Sequence, residues 1–118
     1  RGVRHLIQGH VATPGYACRP EMVAGVRMLG ERGLGFDLCI LHPQMRDATA
    51  LVDACPGVTF ILDHLGKPGI RAGLMDPWRE DLRALAARPN VACKISGAVT
   101  EADHAGWTEA QVMPYLTH

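Results

Sequence analysis

Polar and ionisable side chains recur at the close of each short apolar run in this sequence. Gln8 and His10 follow the first run and His42 follows the second. Asp63-His64-Leu65-Gly66-Lys67-Pro68 follows the third, and Lys94 and Ser96-Gly97 close the fourth. A histidine at the end of a buried strand can ligate a metal, donate a proton or hydrogen-bond a carbonyl oxygen. His64 is the leading candidate for that work, against the plainer reading of a structural histidine bonded to backbone. Lys94 lies between Cys93 and Ile95 in an otherwise apolar strand, so it must be paired, face a polar cavity or snorkel to water. Arg4 and His5 are in a comparable position. Lys67 could hold an anionic or hydroxylated ligand, or simply belong to a Gly-Lys-Pro turn. His42 precedes a helix-starting proline, and its structural and functional readings weigh equally. On an extended strand Asp63 would face away from His64, which makes it a residue expected to fix a loop. His10, His104 and His118 read as surface residues, and Trp78 and Trp107 as packing anchors.

The elements that must position these groups follow from the spacing of apolar residues. Runs at residues 3–8, 36–41, 58–62 and 91–95 have strand length and are apolar on both faces. Between them Met22, Val23, Val26 and Leu29 recur at helical spacing after Pro20, and Gly33 ends that helix. Met45, Ala48, Leu51, Val52 and Cys55 line a second helix, started by Pro43 and stopped by Pro56-Gly57. Asp76-Pro77 reads as an N-cap with proline at N1 for a third helix bearing Trp78, Leu82, Leu85 and Ala86. Thr108 and Gln111 form a capping box for a fourth, with Val112, Tyr115 and Leu116. Strands alternating with helices, each buried on both faces, predict a parallel sheet. The strands start about 33, 22 and 33 residues apart, near the ~31 per unit of a (β/α)8 barrel. A small open doubly wound sheet fits the same spacing.

Composition excludes several classes. With 12 Lys+Arg against 12 Asp+Glu the formal net charge is zero, so the basic excess that an electrostatic binder of nucleic acid or an anionic membrane would need is not present. With 47% hydrophobic and 20% charged residues the chain is not disordered, and no apolar run is long enough for a membrane helix. Cys18, Cys39, Cys55 and Cys93 form no CxxC pair, which suits reduced thiols and a cytoplasmic setting; Cys39 and Cys93 read as core. Neither HxH, HExxH, GxSxG, GxGxxG nor a Walker A sequence is present. The chain begins at Arg1 and ends at His118, and the expectation is a piece of a longer protein.

At Asp63-His64-Leu65-Gly66-Lys67-Pro68 the sequence resembles the amidohydrolase-related family of TIM-barrel hydrolases, in particular its L-fuconolactonase-like branch. Gly2-Val3-Arg4-His5, Arg19-Pro20-Glu21, Asp76-Pro77-Trp78, Asn90-Val91-Ala92-Cys93-Lys94-Ile95-Ser96-Gly97 and Val99-Thr100-Glu101-Ala102-Asp103 agree in order. The resemblance implies an α/β fold, a TIM (β/α)8 barrel, of which residues 1–118 would be a partial domain of about four βα units, strands three to six. Members of the family carry a first-strand HxH and a C-terminal general-base Asp, neither of which is in this chain. The implied reaction is hydrolysis of a sugar lactone by activated water. In that reading His64 and Lys94 are the catalytic groups, and Arg4, Gln8, His42 and Lys67 bind substrate. His64 contacts the metal when one is bound and the lactone carbonyl when none is. The divalent metal expected is zinc, although some relatives work without one. The expected partner is a small-molecule lactone, with homo-oligomers allowed and no nucleic acid or membrane. Alternatives are a metal-dependent decarboxylase of aromatic acids and a non-catalytic binding fragment. The isolated chain is expected to be inactive, and prone to associate through an open apolar face bearing Phe60, Leu62, Cys39 and Leu41.

Overall fold

Four short strands, β1 (Gly2–His5), β2 (Gly35–Leu38), β3 (Phe60–Leu62) and β4 (Val91–Cys93), pair in parallel in the order β1-β2-β3-β4. The computed structural model describes residues 1–118. Helices α1 (Pro20–Glu31), α2 (Met45–Ala54) and α3 (Trp78–Ala86) connect the strands, and α4 (Glu109–Leu116) follows β4. The expected alternation of strand and helix is therefore observed. The strands are shorter than the apolar runs because 3₁₀ turns intervene, at Ile7–His10 after β1, His42–Gln44 after β2 and Asp63–Gly66 after β3.

Capping follows the sequence in part. Pro20 opens α1 as its first residue. Thr108 caps α4, its hydroxyl accepting from the Gln111 amide at 3.3 Å. At α3 the cap is Pro77 and not Asp76, and no side chain satisfies the first amides; the Asp76 carboxylate instead holds Arg79 at 2.8 Å.

Alternation along the strands divides the sheet into two unlike faces. Phe36, Leu38, Phe60 and Leu62 point to the helices and are 0–3% exposed, part of a core of 23 buried residues that also takes Val26, Leu51, Val52 and Leu85. Burying each such side chain contributes about 1.5–3 kcal/mol. Pairing places Arg4 beside Asp37 and Asp37 beside Ile61 on the other face. That face, which was expected to be apolar and open, is polar. Phe60 and Leu62 are fully buried beneath helices because their parity turns them into the core; Cys39, just past β2, is 5% exposed with its thiol toward Gln8, and Leu41 is half-buried. Exposed apolar surface lies instead near the sheet's ends, at Leu6, Ile95 and Trp107. Trp107 is thus no buried anchor, whereas Trp78 is, at 1% exposure. Cys93 is exposed on β4, while Cys39 is buried as expected; all four thiols are free.

Candidate active site

One charged side chain comes from each strand or its carboxyl end to make a network on the polar face. Arg4 on β1 reaches Asp37 on β2 at 3.1 Å and, through Nε, Asp63 after β3 at 2.9 Å. Lys94, one residue beyond β4, donates to Asp37 Oδ2 at 3.0 Å and to Asp63 Oδ1 at 2.7 Å. Asp63 is fully buried, and its Oδ2 accepts no well-aligned hydrogen bond beyond the ion-pair contact with Arg4. Both cations are partly open to water. Two positive and two negative groups compensate each other, so the network ties four strands together without net charge. Lys94 uses two of its three N–H groups here, leaving the third for a ligand.

The charges shift one another. Burial alone would raise the Asp37 carboxyl, but hydrogen bonds from Lys94 and Arg4 outweigh it and hold the group below its ordinary 3.8. The Lys94 ammonium is raised, first by its hydrogen bond to Asp63 and then by that to Asp37. Arg4 is raised by its hydrogen bond to Asp37 and the charge of Asp63. A carboxyl depressed in the folded state stabilises the fold above its unfolded pKa and loses that contribution as pH falls through the folded value. We therefore expect the stability of the chain to fall as pH drops below 3.8, and Asp37→Asn to flatten that part of an acid unfolding series. An unchanged acid limb in Asp37→Asn would remove this assignment.

The turn after β3 has unusual backbone. His64, Leu65 and Lys67 have φ of 53°, 57° and 51°, and Gly66 has 67°. Left-handed conformation is costly for residues with a Cβ, and so the turn is held from outside. Trp78 Nε1 donates to the Leu65 carbonyl at 2.7 Å, and the Leu65 amide donates to the Lys94 carbonyl at 3.2 Å. A side chain at Gly66 would run into the Met45 methyl. Because the strand stops at Leu62, Asp63 and His64 are not opposed along an extended chain. Asp63 turns under the sheet edge, where it joins strands rather than fixing a loop, and His64 is carried outward.

His64, Lys67, Gly97, Thr100 and Glu101 line a cleft of ≈ 130 Å³ at the carboxyl ends of β3 and β4. No apolar side chain faces it. His64 Nδ1 lies 2.9 Å from Ser96 Oγ. Lys67 donates to Gln8 Oε1, which also accepts from Cys39 Sγ at 3.5 Å. Larger concavities are one of ≈ 390 Å³ between the end of α1 and the segment before β3, remote from these groups, and an apolar groove of ≈ 340 Å³ between the segment after β4 and α4, which adjoins the cleft at Gly97.

The residues singled out in the sequence are thus divided. His64 and Lys67 share the cleft, and Gln8 supports Lys67. Arg4 and Lys94 belong to the charge network. His42 opens the 3₁₀ turn after β2 with Nδ1 buried and unpartnered; burial pushes it below 6.5, and the nearby Glu101 carboxylate only partly opposes that. His5 is elsewhere, 3.0 Å from the Tyr16 hydroxyl, and His10 stacks on the same Tyr16 at 3.7 Å. Sequence reasoning gave no binding role to Thr100 or Glu101 and no network role to Asp37 and Asp63. Asp37 carried the same signal as Lys94, a lone charge between apolar strand residues. No three His, Cys, Asp or Glu side chains come together to hold a metal ion. His64 Nε2 is one uncommitted donor, which by itself does not make a metal site.

A parallel α/β sheet with its polar cleft at the carboxyl ends of the strands is the arrangement of part of a TIM barrel and of an open α/β sheet alike. A family model described as Amidohydrolase matches residues 1–118, and the chain belongs to that family. It is 34% identical over 108 residues to an L-fucono-1,5-lactonase of Burkholderia multivorans, covering 87% of this chain and 36% of that protein. It is 32% identical over 123 residues to an uncharacterized protein of Sinorhizobium fredii, covering 98% of this chain and 41% of that one. Among solved structures, an amidohydrolase from Burkholderia multivorans with bound Zn superposes with a TM-score of 0.85 at 32% identity, covering 98% of this chain and 42% of the other. The chain thus spans about two-fifths of the length of these relatives, and its four βα units correspond to a part of the (β/α)8 barrel. No helix is long and apolar enough to cross a membrane.

Proposed function

We propose that these residues form part of a hydrolase site that opens a sugar lactone by attack of water on the ring carbonyl. The observation that carries this reading is the cleft itself, where the polar side chains of His64, Lys67, Thr100 and Glu101 converge. A polyhydroxylated ring needs many hydrogen-bonding groups, whereas an aromatic acid needs apolar surface. The lactonase relative supports the same choice, and a decarboxylase of aromatic acids is disfavoured by the lining.

In this reading addition of water forms a new C–O bond and moves negative charge onto the carbonyl oxygen. His64 Nε2 and the free N–H of Lys94 donate to that oxygen. Collapse breaks the ring C–O bond, and the departing alkoxide takes a proton to give a hydroxy acid. Lys67, steadied by Gln8, and Glu101 and Thr100 hold substrate hydroxyls. Arg4 pairs with Asp63 and Asp37 beneath them, and His42, whose imidazole burial pushes below its ordinary value, closes the side near Glu101. Zinc, bound in a related structure, would polarise the carbonyl here; these residues offer it one imidazole. The site is completed by barrel segments outside these 118 residues, the general base among them, and its setting is cytoplasmic.

The test is turnover of sugar lactones by the protein carrying this chain within a complete barrel. His64→Ala is expected to lower kcat by about 10²–10³-fold. Equal turnover in His64→Ala, or release of CO₂ from aromatic acids without lactone opening, would overturn the proposal.

A further inference from the structure

The Ser96-Gly97 segment meets His64 along the Nδ1 edge of its ring. Ser96 Oγ is 2.9 Å from Nδ1. A Cβ built at Gly97 would lie 3.0 Å from Nδ1, 3.2 Å from Cγ and 3.3 Å from Cβ of His64. The main chain at 97 therefore backs the same edge that Ser96 bonds, and it does so at φ 68°, where glycine is favoured. Nε2, at the far side of the ring, has no protein partner. His64 itself is held in left-handed backbone, so its Cα–Cβ direction is set by the turn and its ring plane by Ser96 and Gly97.

We propose that Ser96 and Gly97 are positioning residues that fix the His64 ring and its tautomer, so that Nε2 is the nitrogen offered to the ligand. In a neutral imidazole one nitrogen donates and the other accepts, and the partner of one decides the role of the other. Ser96 can give its hydroxyl proton to Nδ1, which leaves Nε2–H as a donor to a carbonyl oxygen. It can instead accept from Nδ1–H, which leaves the Nε2 lone pair for a metal or a proton. The first arrangement is the one the proposed reaction needs, since there Nε2–H donates to the carbonyl oxygen, and it makes the Nε2–H tautomer the dominant form. Ser96 does this without touching the ligand. The inference rests on the reading of His64 as a ligand contact, but its test does not use turnover.

Imidazole ¹⁵N spectra of the protein carrying this chain within a complete barrel, at a pH above the ordinary histidine range, read the tautomer directly. One dominant form is expected in the wild type, with two well-separated ring nitrogens. Ser96→Ala is expected to change the tautomer ratio by about five- to tenfold, as the loss of one hydrogen bond predicts. Ser96→Thr, which keeps the hydroxyl, should restore it. Gly97→Ala should displace the ring with Ser96 still in place, seen as altered contacts between the His64 ring and residue 97. Averaged nitrogens in the wild type would overturn the proposal whether or not any variant folds, and so would a Ser96→Ala spectrum identical to the wild type. A fixed tautomer together with unimpaired lactone turnover in His64→Ala would instead fault the lactonase reading and leave the positioning role standing.

Discussion

Replacing Asp63 with alanine is expected to destabilise the chain by about 3 kcal/mol, the lower end of what breaking a buried ion pair costs. Asp63 is fully buried and is the acceptor of the short Lys94 contact at 2.7 Å. A hydrogen bond to a charged group contributes about 1.5–3 kcal/mol, and the vacated carboxylate volume adds a cavity. The loss stays at the lower end because Arg4 and Lys94 are partly exposed and can turn to water when their shared anion is gone. The opposite change is harder on the fold. Arg4→Met with Lys94→Met leaves Asp63 in the interior with no cation, and adding Asp63→Asn to that pair should restore stability by removing the stranded charge. Urea unfolding of the three variants decides it. A loss below about 1 kcal/mol in Asp63→Ala, or no recovery on adding Asp63→Asn, would show that the network is a surface decoration and not a tie between strands.

That network also shows where the sequence stops being legible. The alternation of apolar runs with helical patterns, and the prolines and glycines that bound them, lead directly to four parallel βα units, and the Asp63–Pro68 segment singles out His64. The side chains that face each other across the sheet were harder. Asp37 sits between Phe36 and Leu38, and only the pairing with Arg4 on β1 and the reach of Lys94 from beyond β4 place its carboxylate between two cations. Such register is a property of two strands, not one. The same limit explains why Phe60 and Leu62 read as an open face: an apolar run of three strand residues does not say which of its sides meets the helices. The backbone at 64–67 was hidden for another reason. Gly66 is the one residue there with an intrinsic preference for positive φ, and neighbours distant in sequence, Trp78 and Lys94, impose the same conformation on His64, Leu65 and Lys67.

Trp78 is where that imposition can be measured. Trp78→Ala is expected to cost about 3–5 kcal/mol, as for any large buried aromatic, since the side chain is 1% exposed and packs against Tyr115 with ring centroids 5.3 Å apart. Trp78→Phe separates packing from hydrogen bonding. It keeps most of the apolar volume but leaves the Leu65 carbonyl without the indole N–H that donates to it at 2.7 Å, an omission worth about 1–3 kcal/mol in a buried setting. That loss falls on residues whose left-handed conformations each cost about 1–3 kcal/mol to maintain, so the turn should loosen before the core does. Hydrogen exchange reads the two events apart. The Leu65 and Lys67 amides, bonded to the Lys94 and His64 carbonyls at 3.2 and 2.9 Å, should lose protection in Trp78→Phe while the strand amides of β2 and β3 keep theirs. Since His64 and Lys67 both stand on this turn, the same variant should weaken whatever binds the cleft. Uniform loss of protection across sheet and turn would mean that Trp78 supports only the core, and that the geometry of His64 is set elsewhere.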